Sequence, residues 1–244
     1  MGEVILVASG KGGTGKTSVT ANLGALLAKD GQKVALIDMD MGMRNLDLYL
    51  GLENRIVYNI MDVFTGICRI KRALVRDRRF ESLYLMSASP RKDERDITPL
   101  HMEILCEKLK ASFDYVLIDC PAGIGSGLEI AMAGADRALL VTEADMAAVR
   151  DADVVNRYLK KNGIPNTCYI VNKVRADLMA QNLVPSLTEI TEILASQMIG
   201  VIQFDDNIYI STNRGIPIVF KEGTYIEENF QNIKERFIAC GKTE

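Results

Sequence analysis

The chain has 244 residues, 48% of them hydrophobic, which suits one α/β domain with a large core. Its formal net charge of −3 excludes a global basic field that would draw it to DNA or to anionic lipid. The five cysteines (Cys68, Cys106, Cys120, Cys168 and Cys240) form no C-x-x-C pair and are odd in number. That argues against a disulfide framework and a zinc ribbon, and for a reduced, cytosolic setting.

The one histidine, His101, is too isolated for a histidine metal site and reads as a surface or helix-start residue. No basic stretch precedes the first apolar run, so no signal peptide is expected. No run of about 18 apolar residues exists, so no transmembrane helix is expected either.

The first element is the run Val4-Ile5-Leu6-Val7-Ala8, short and β-branched enough for a buried strand. Gly10-Lys11-Gly12-Gly13-Thr14-Gly15-Lys16-Thr17-Ser18 follows, and then Ala21, Leu23, Leu26 and Leu27 on roughly one helical face. The spacing G-x-x-x-x-G-K-[ST] is matched by Gly10, Gly15, Lys16 and Thr17, in the strand–turn–helix context that a phosphate loop requires. Glycines let backbone N–H groups converge on phosphate oxygens without a Cβ in the way. The helix starting near Lys16 points its positive end at the same anion. Lys16 supplies a point charge to the β- and γ-phosphates, and the Thr17 hydroxyl is placed to ligate Mg2+. Lys11 is a second lysine that an ordinary phosphate loop does not need; its long side chain has the reach for a second nucleotide across a dimer interface.

Further strands are expected at Lys33–Asp38, Leu83–Ser87, Tyr115–Asp119, Arg137–Thr142, Thr167–Asn172, Ile199–Ile202 and Pro217–Val219, with helical segments between them. Most are continuous apolar runs, the pattern of parallel strands buried on both faces. The alternation predicts a doubly wound α/β sheet, mostly parallel and flanked by helices, over residues 1–244 as one domain. In such sheets ligands lie beyond the carboxyl ends of the strands, so the chemistry should follow each run.

It does. Asp38-Met39-Asp40 puts two carboxylates after the second run; one would orient an attacking water and the other would tune Mg2+ or the loop. The basic run from Arg69 to Arg79, interrupted by Asp77, reads as a solvated face, and the acidic global charge gives no strong nucleic-acid signal. Pro90–Asp96 reads as charged and exposed. Tyr115-Val116-Leu117-Ile118-Asp119 delivers one carboxylate at the end of a buried run, as a Walker B strand delivers one toward Mg2+. Cys120-Pro121-Ala122-Gly123 suits a loop that switches with nucleotide state. Val154, Val155, Tyr158 and Leu159 share one side of a helix. The side-chain amide of Asn172, at a strand end, matches the donor–acceptor edge of adenine. In Tyr225–Ala239, Ile226, Phe230, Ile233 and Phe237 recur at helical spacing opposite a mixed-charge side, which reads as a helix docked on the sheet and not as a membrane-surface helix.

Lys11-Gly12-Gly13-x-Gly15-Lys16-Thr17 resembles the deviant Walker A box of the MinD/ParA ATPases. The resemblance runs from Val4 to about Val219. It implies a phosphate-loop NTPase fold of the SIMIBI type with ATP and Mg2+ as cofactors. In that family the lysine matching Lys11 crosses an ATP-sandwich homodimer to the partner's phosphates. The aspartate matching Asp40 positions the water, and those matching Asp38 and Asp119 lie at the metal with Thr17. Arg44-Asn45-Leu46-Asp47 resembles a segment typical of the MinD branch, and Val149-Arg150-Asp151-x-Asp153 resembles its helix that receives a regulatory protein partner. No proline lies at or beside Glu143, where that branch usually has one. The asparagine matching Asn172 contacts the base, and the adenine wall is usually I-P-x-D; here it is Ile202-Gln203-Phe204-Asp205.

The implied function is a slow, partner-stimulated ATPase switch in cell-division site selection or a similar positioning process. The alternatives are a ParA-like DNA partition ATPase, a flagellar-number regulator or a nucleotide-gated scaffold. Ala122, where its cysteine would stand, argues against an iron–sulfur ATPase of the nitrogenase-reductase type. The branch usually continues into a basic amphipathic tail that binds lipid at the inner face of the cell membrane. The sequence ends at Glu244 without one, so either the tail is missing from it or this protein does not bind membrane by that route; a cytoplasmic protein, at most peripheral at the inner face of the membrane, is expected.

Overall fold

The computed structural model describes residues 2–91 and 97–241. In chain order the elements are β1 (Glu3–Ala8), α1 (Lys16–Lys29), β2 (Val34–Asp38), α2 (Leu46–Tyr49), α3 (Ile60–Phe64), α4 (Ile70–Ala73), β3 (Leu74–Arg76), β4 (Leu83–Met86), α5 (Pro99–Lys110) and β5 (Tyr115–Asp119). There follow α6 (Ser126–Met132), β6 (Arg137–Glu143), α7 (Met146–Lys161), β7 (Thr167–Val174), α8 (Ala176–Ala180), α9 (Leu187–Leu194), β8 (Gln197–Gln203), α10 (Asp206–Asn213) and α11 (Tyr225–Cys240).

The eight strands form one sheet in the order β3-β4-β2-β5-β1-β6-β7-β8. Every pairing is parallel except that of β3 with β4. Strand residues alternate between the two faces. In β1, Val4, Leu6 and Ala8 enter the apolar layer that includes Leu105 of α5, Leu128 of α6 and Val155 of α7. Ile5 and Val7 enter the opposite layer with Leu23 and Leu26 of α1 and Phe230 and Phe237 of α11. The continuous apolar runs are therefore a consequence of two covered faces. The parallel register sets Val7 and Asp38 on either side of Asp119, so β1, β2 and β5 end together.

The apolar stripe of α11 is buried, as its spacing predicts. His101 stands in the first turn of α5, in a capping box with Thr98. No helix of the described residues is long and apolar enough to cross a membrane. Residues 92–96 of the stretch read as charged, and Lys242–Glu244 at the end, lie outside the described residues; Pro90 and Arg91 are exposed.

Two expectations need correction. Pro217–Val219 is not a strand: Ile218–Phe220 is a 3-10 turn whose Ile218 and Val219 are buried. The Val219 N–H donates to Asn22 Oδ1 of α1, so this apolar run fills a gap beneath α1 and pairs with no strand. Pro217 begins it without an N–H to give to a ladder. The basic run is also more than a solvated face. It contains α4 and the antiparallel strand β3, and Asp77 is buried against Arg79.

At the other end of the sheet, Arg137 is 1% exposed where β6 begins. Its Nε and Nη2 donate to Glu3 of β1 at 2.6 and 3.0 Å, and its guanidinium lies 4.0 Å from the Phe237 ring centroid. One charged group thus joins β1, β6 and α11. Removing its carboxylate leaves a buried cation unpaired, so Glu3→Ala is expected to lower unfolding stability by roughly 3 kcal/mol in urea titrations. A loss under about 1 kcal/mol would show that water reaches the guanidinium instead.

Candidate functional site

The carboxyl ends of the parallel strands open into a cavity of about 820 Å3. Gly12, Gly13, Gly15, Lys16, Thr17 and Ser18 line it, and so do Asp40, Asn172 and Asp205. The structure brings these predicted residues together from four separate stretches of chain. Gly10, Lys11, Thr14, Asp38 and Asp119 do not line it.

The loop between β1 and α1 owes its shape to local necessity. Gly13 and Gly15 have φ of +83° and +92°, a left-handed conformation that costs other residues strain. A Cβ on Gly15 would lie 2.2 Å from Asn172 Nδ2, and one on Gly10 would lie 2.2 Å from the carbonyl carbon of Asp151 in α7. Lys16, the first residue of α1, is 9% exposed. Lys11 extends outward instead. Its Nζ lies 3.9 Å from Asp145 Oδ1, and both side chains are more than half exposed.

Asn172 is buried, and its Nδ2 donates to Thr14 O at 2.7 Å. It braces the loop as well as lining the cavity. Lys173, a residue missed at the sequence level, has φ of +54°; its Nζ donates to Gly13 O and pairs with Glu143 at 2.9 Å. The available signal was a charge directly after a strand-ending asparagine. On the far wall, Gln203 and Phe204 line the cavity where the I-P-x-D pattern would place its proline. Asp205 caps α10 and accepts a hydrogen bond from Tyr225.

Asp38 and Asp119 sit in register on neighbouring strands, 1% and 2% exposed. Asp38 accepts from the Asp40 N–H at one oxygen and from the Asn45 and Leu46 N–H groups at the other, all within 3.1 Å. It therefore fixes where α2 begins. Asp119 Oδ1 is buried with no hydrogen-bond partner. Asp40, partly exposed, carries its carboxylate to the cavity wall. Arg150 and Asp151 are exposed on α7, and Asp153 is half-buried, paired with Arg157 at 2.7 Å.

Comparison with known proteins agrees with this geometry. Residues 5–218 match the family model of the CobQ/CobB/MinD/ParA nucleotide binding domain. The septum site-determining protein MinD of Synechocystis is 47% identical over 237 residues, 97% of this chain and 89% of that protein. The chain belongs to the MinD family. MinD of Bacillus subtilis is 41% identical over 240 residues, 98% of this chain and 90% of that one. Among solved structures, a MinC:MinD cell division complex from Aquifex aeolicus contains a chain that superposes with a TM-score of 0.90 at 40% identity, covering 99% of this chain and 97% of that one. MinD complexed with Mg-ADP from Pyrococcus horikoshii gives 0.88 at 30% identity, covering 99% and 98%.

The electrostatics of this MinD-family site suit a cation. Burial, and then the charge of Asp119, push the Asp38 carboxyl up to about 7. Burial pushes Asp119 up to about 6, although the Lys16 charge and the Thr17 hydroxyl oppose it. Among the described residues no group of three or more His, Cys, Asp or Glu would hold a metal ion unaided. A divalent ion here would need oxygens from a ligand, which is how Mg2+ is usually bound beside phosphates.

Both carboxyls bind their protons more tightly in the folded chain than in the unfolded one. Their contribution to stability is therefore full below about pH 4 and is lost as pH rises through about 6 and about 7. Asp119→Asn, which cannot ionise, is expected to raise the melting temperature of the ligand-free protein more at pH 8 than at pH 5. Scanning fluorimetry across that range checks it; a difference independent of pH would refute the assignment.

Proposed function

We propose that this protein is a Mg2+-dependent ATPase that dimerises around ATP and in that state controls a partner in the placement of the cell-division site. The observation that carries this reading is that the whole phosphate loop faces the cavity except Gly10, Lys11 and Thr14, with Lys11 extended away from it. The relatives named above bear the MinD name at 41–47% identity, which supports the cellular process over DNA partition.

In this reading residues 1–244 act as one domain. The backbone N–H groups of the loop and Lys16 bind the phosphates. Thr17 and Asp119 would hold Mg2+, with Asp38 directly behind them and already tied to α2. When bound, the ion neutralises charge on the β- and γ-phosphates. Asp40 orients the attacking water from the cavity wall. Asn172 and Asp205 face the base and ribose. Hydrolysis is slow in this reading because no strong base is seen beside Asp40 among the described residues, the carboxylate it bonds through its N–H being Asp38. Lys11 reaches the phosphates of a second copy, after exchanging its exposed pair with Asp145 for a stronger charge. The outward face of α7, with Arg150, Asp151 and Asp153, receives a regulatory protein, in line with the MinC:MinD complex of the Aquifex relative. The protein acts in the cytoplasm, with any membrane contact peripheral, at the inner face of the cell membrane.

Analytical ultracentrifugation of Asp40→Ala, which slows turnover, tests the switch. A dimer is expected with Mg·ATP and a monomer with Mg·ADP. Adding Lys11→Ala should return the ATP form to monomer. Monomers in all states would overturn the dimer switch, whereas a dimer that survives Lys11→Ala would remove Lys11 from its interface.

A further inference from the structure

Arg79 lies between β3 and β4, outside every motif of the site. Its Nε and Nη2 donate to the carboxylate of Asp77 at 3.0 and 2.6 Å, and Asp77 is 1% exposed. Its Nη1 donates to Gly215 O at 2.9 Å, its Nη2 also donates to Leu50 O at 2.5 Å, and the guanidinium lies over the Phe220 ring. Leu50 ends the turn of α2, and Gly215 belongs to the loop after α10.

These two segments cross with no room to spare. A Cβ on Gly215 would lie 2.6 Å from Gly51 Cα, and one on Gly51 would lie 2.8 Å from Gly215 O. Both glycines have positive φ, and both line the cavity. Among the described residues no hydrogen bond runs directly between residues 45–55 and 205–217; Arg79 bridges them by bonding to both. The other end of α2 is fixed by the bonds from Asn45 and Leu46 to Asp38. The short helix is thus a strut between the buried carboxylates and the crossing.

We infer that Arg79 is a positioning residue of the nucleotide cavity, acting on the nucleoside end. Phosphates are carried by residues 12–18, which Arg79 does not touch. Outside the phosphate loop the cavity wall includes both segments that Arg79 joins, through Gly51, Asp205 and Gly215, beside Asn172, Gln203 and Phe204. A ligand with a nucleoside uses that wall; a bare polyphosphate does not. The guanidinium fork suits the task because it holds a carboxylate and two separate carbonyls at once, which a single ammonium cannot match.

The inference rests on the nucleotide-binding reading, and calorimetric titration separates the two. The probes are Mg·ATP and Mg·tripolyphosphate, titrated into the wild-type protein, Arg79→Ala, Arg79→Lys and Asp77→Asn. Wild type is expected to prefer ATP. Arg79→Ala should weaken ATP about tenfold and leave tripolyphosphate within about twofold. Arg79→Lys should recover part of the preference, and Asp77→Asn should lose part of it. An unchanged ATP-to-tripolyphosphate ratio in Arg79→Ala overturns the inference, whether both affinities fall together or neither does. If thermal melts show Arg79→Ala to be unfolded, the same ratio in Asp77→Asn decides. Wild-type protein that binds neither probe overturns the nucleotide reading and this inference with it.

Discussion

The phosphate loop keeps its shape because its carbonyls are tied from beneath. Asn172 bonds Thr14 O and Lys173 bonds Gly13 O, both from the end of β7. A trans peptide unit holds its C=O and the next N–H on opposite sides. Drawing those two carbonyls toward β7 therefore turns the N–H groups of Thr14 and Gly15 to the other side of the loop. Gly15 is a glycine for the same reason, since the Asn172 amide occupies the place of its Cβ. A loop so held needs little reorganisation to meet an anion, and preorganised donors of this kind are worth most where water is scarce.

The same strand ends hold a local conflict. Asp38 and Asp119 are buried side by side and each resists ionisation, while Lys16 offers one positive charge nearby. A hydrophobic pair would stabilise the sheet better at neutral pH. A bound cation, as proposed above, would relieve that conflict. Oδ1 of Asp119 has no hydrogen-bond partner, whereas both oxygens of Asp38 accept from backbone N–H groups, so of the two carboxylates Asp119 is the one with an oxygen to offer in the proposed role. Departures from local rules of burial of this kind are expected at functional sites.

That contrast explains what the sequence discloses. The phosphate loop, the strand-end carboxylates and the docked stripe of α11 depend on neighbours in the chain or on a fixed period, so spacing reveals them. β3 has three residues, half-buried and at the sheet edge, too short to show a period. Ile218 and Val219 are as apolar as a strand, but their burial is decided by a gap under α1. Arg79 lies inside a basic run and is exposed like its neighbour Arg78, so only its hydrogen-bond partners set it apart. Its partner carbonyl on Gly215 is 136 residues away, and a backbone carbonyl leaves no mark in the sequence. Lys173 is harder still, since its left-handed backbone, not its residue type, directs it beneath the loop.

The loop also touches α7 in two places that differ in strength. At Gly10 the contact is backbone on backbone, with no space for a Cβ beside Asp151. At Lys11 the contact is a 3.9 Å pair between two exposed side chains, and Asp145 meanwhile caps α7 through the Ala148 N–H. Exposed pairs of this length contribute little, so Lys11 is held loosely, whereas the capping bond stays when it leaves. Any rearrangement that draws Lys11 outward acts at the amino end of α7, and a shift of Gly10 would move the backbone of Asp151, on the same turn as Arg150 and Asp153. The helix whose outward face is proposed to meet a partner thus packs directly on the phosphate loop at Gly10, an arrangement suited to a nucleotide-state switch.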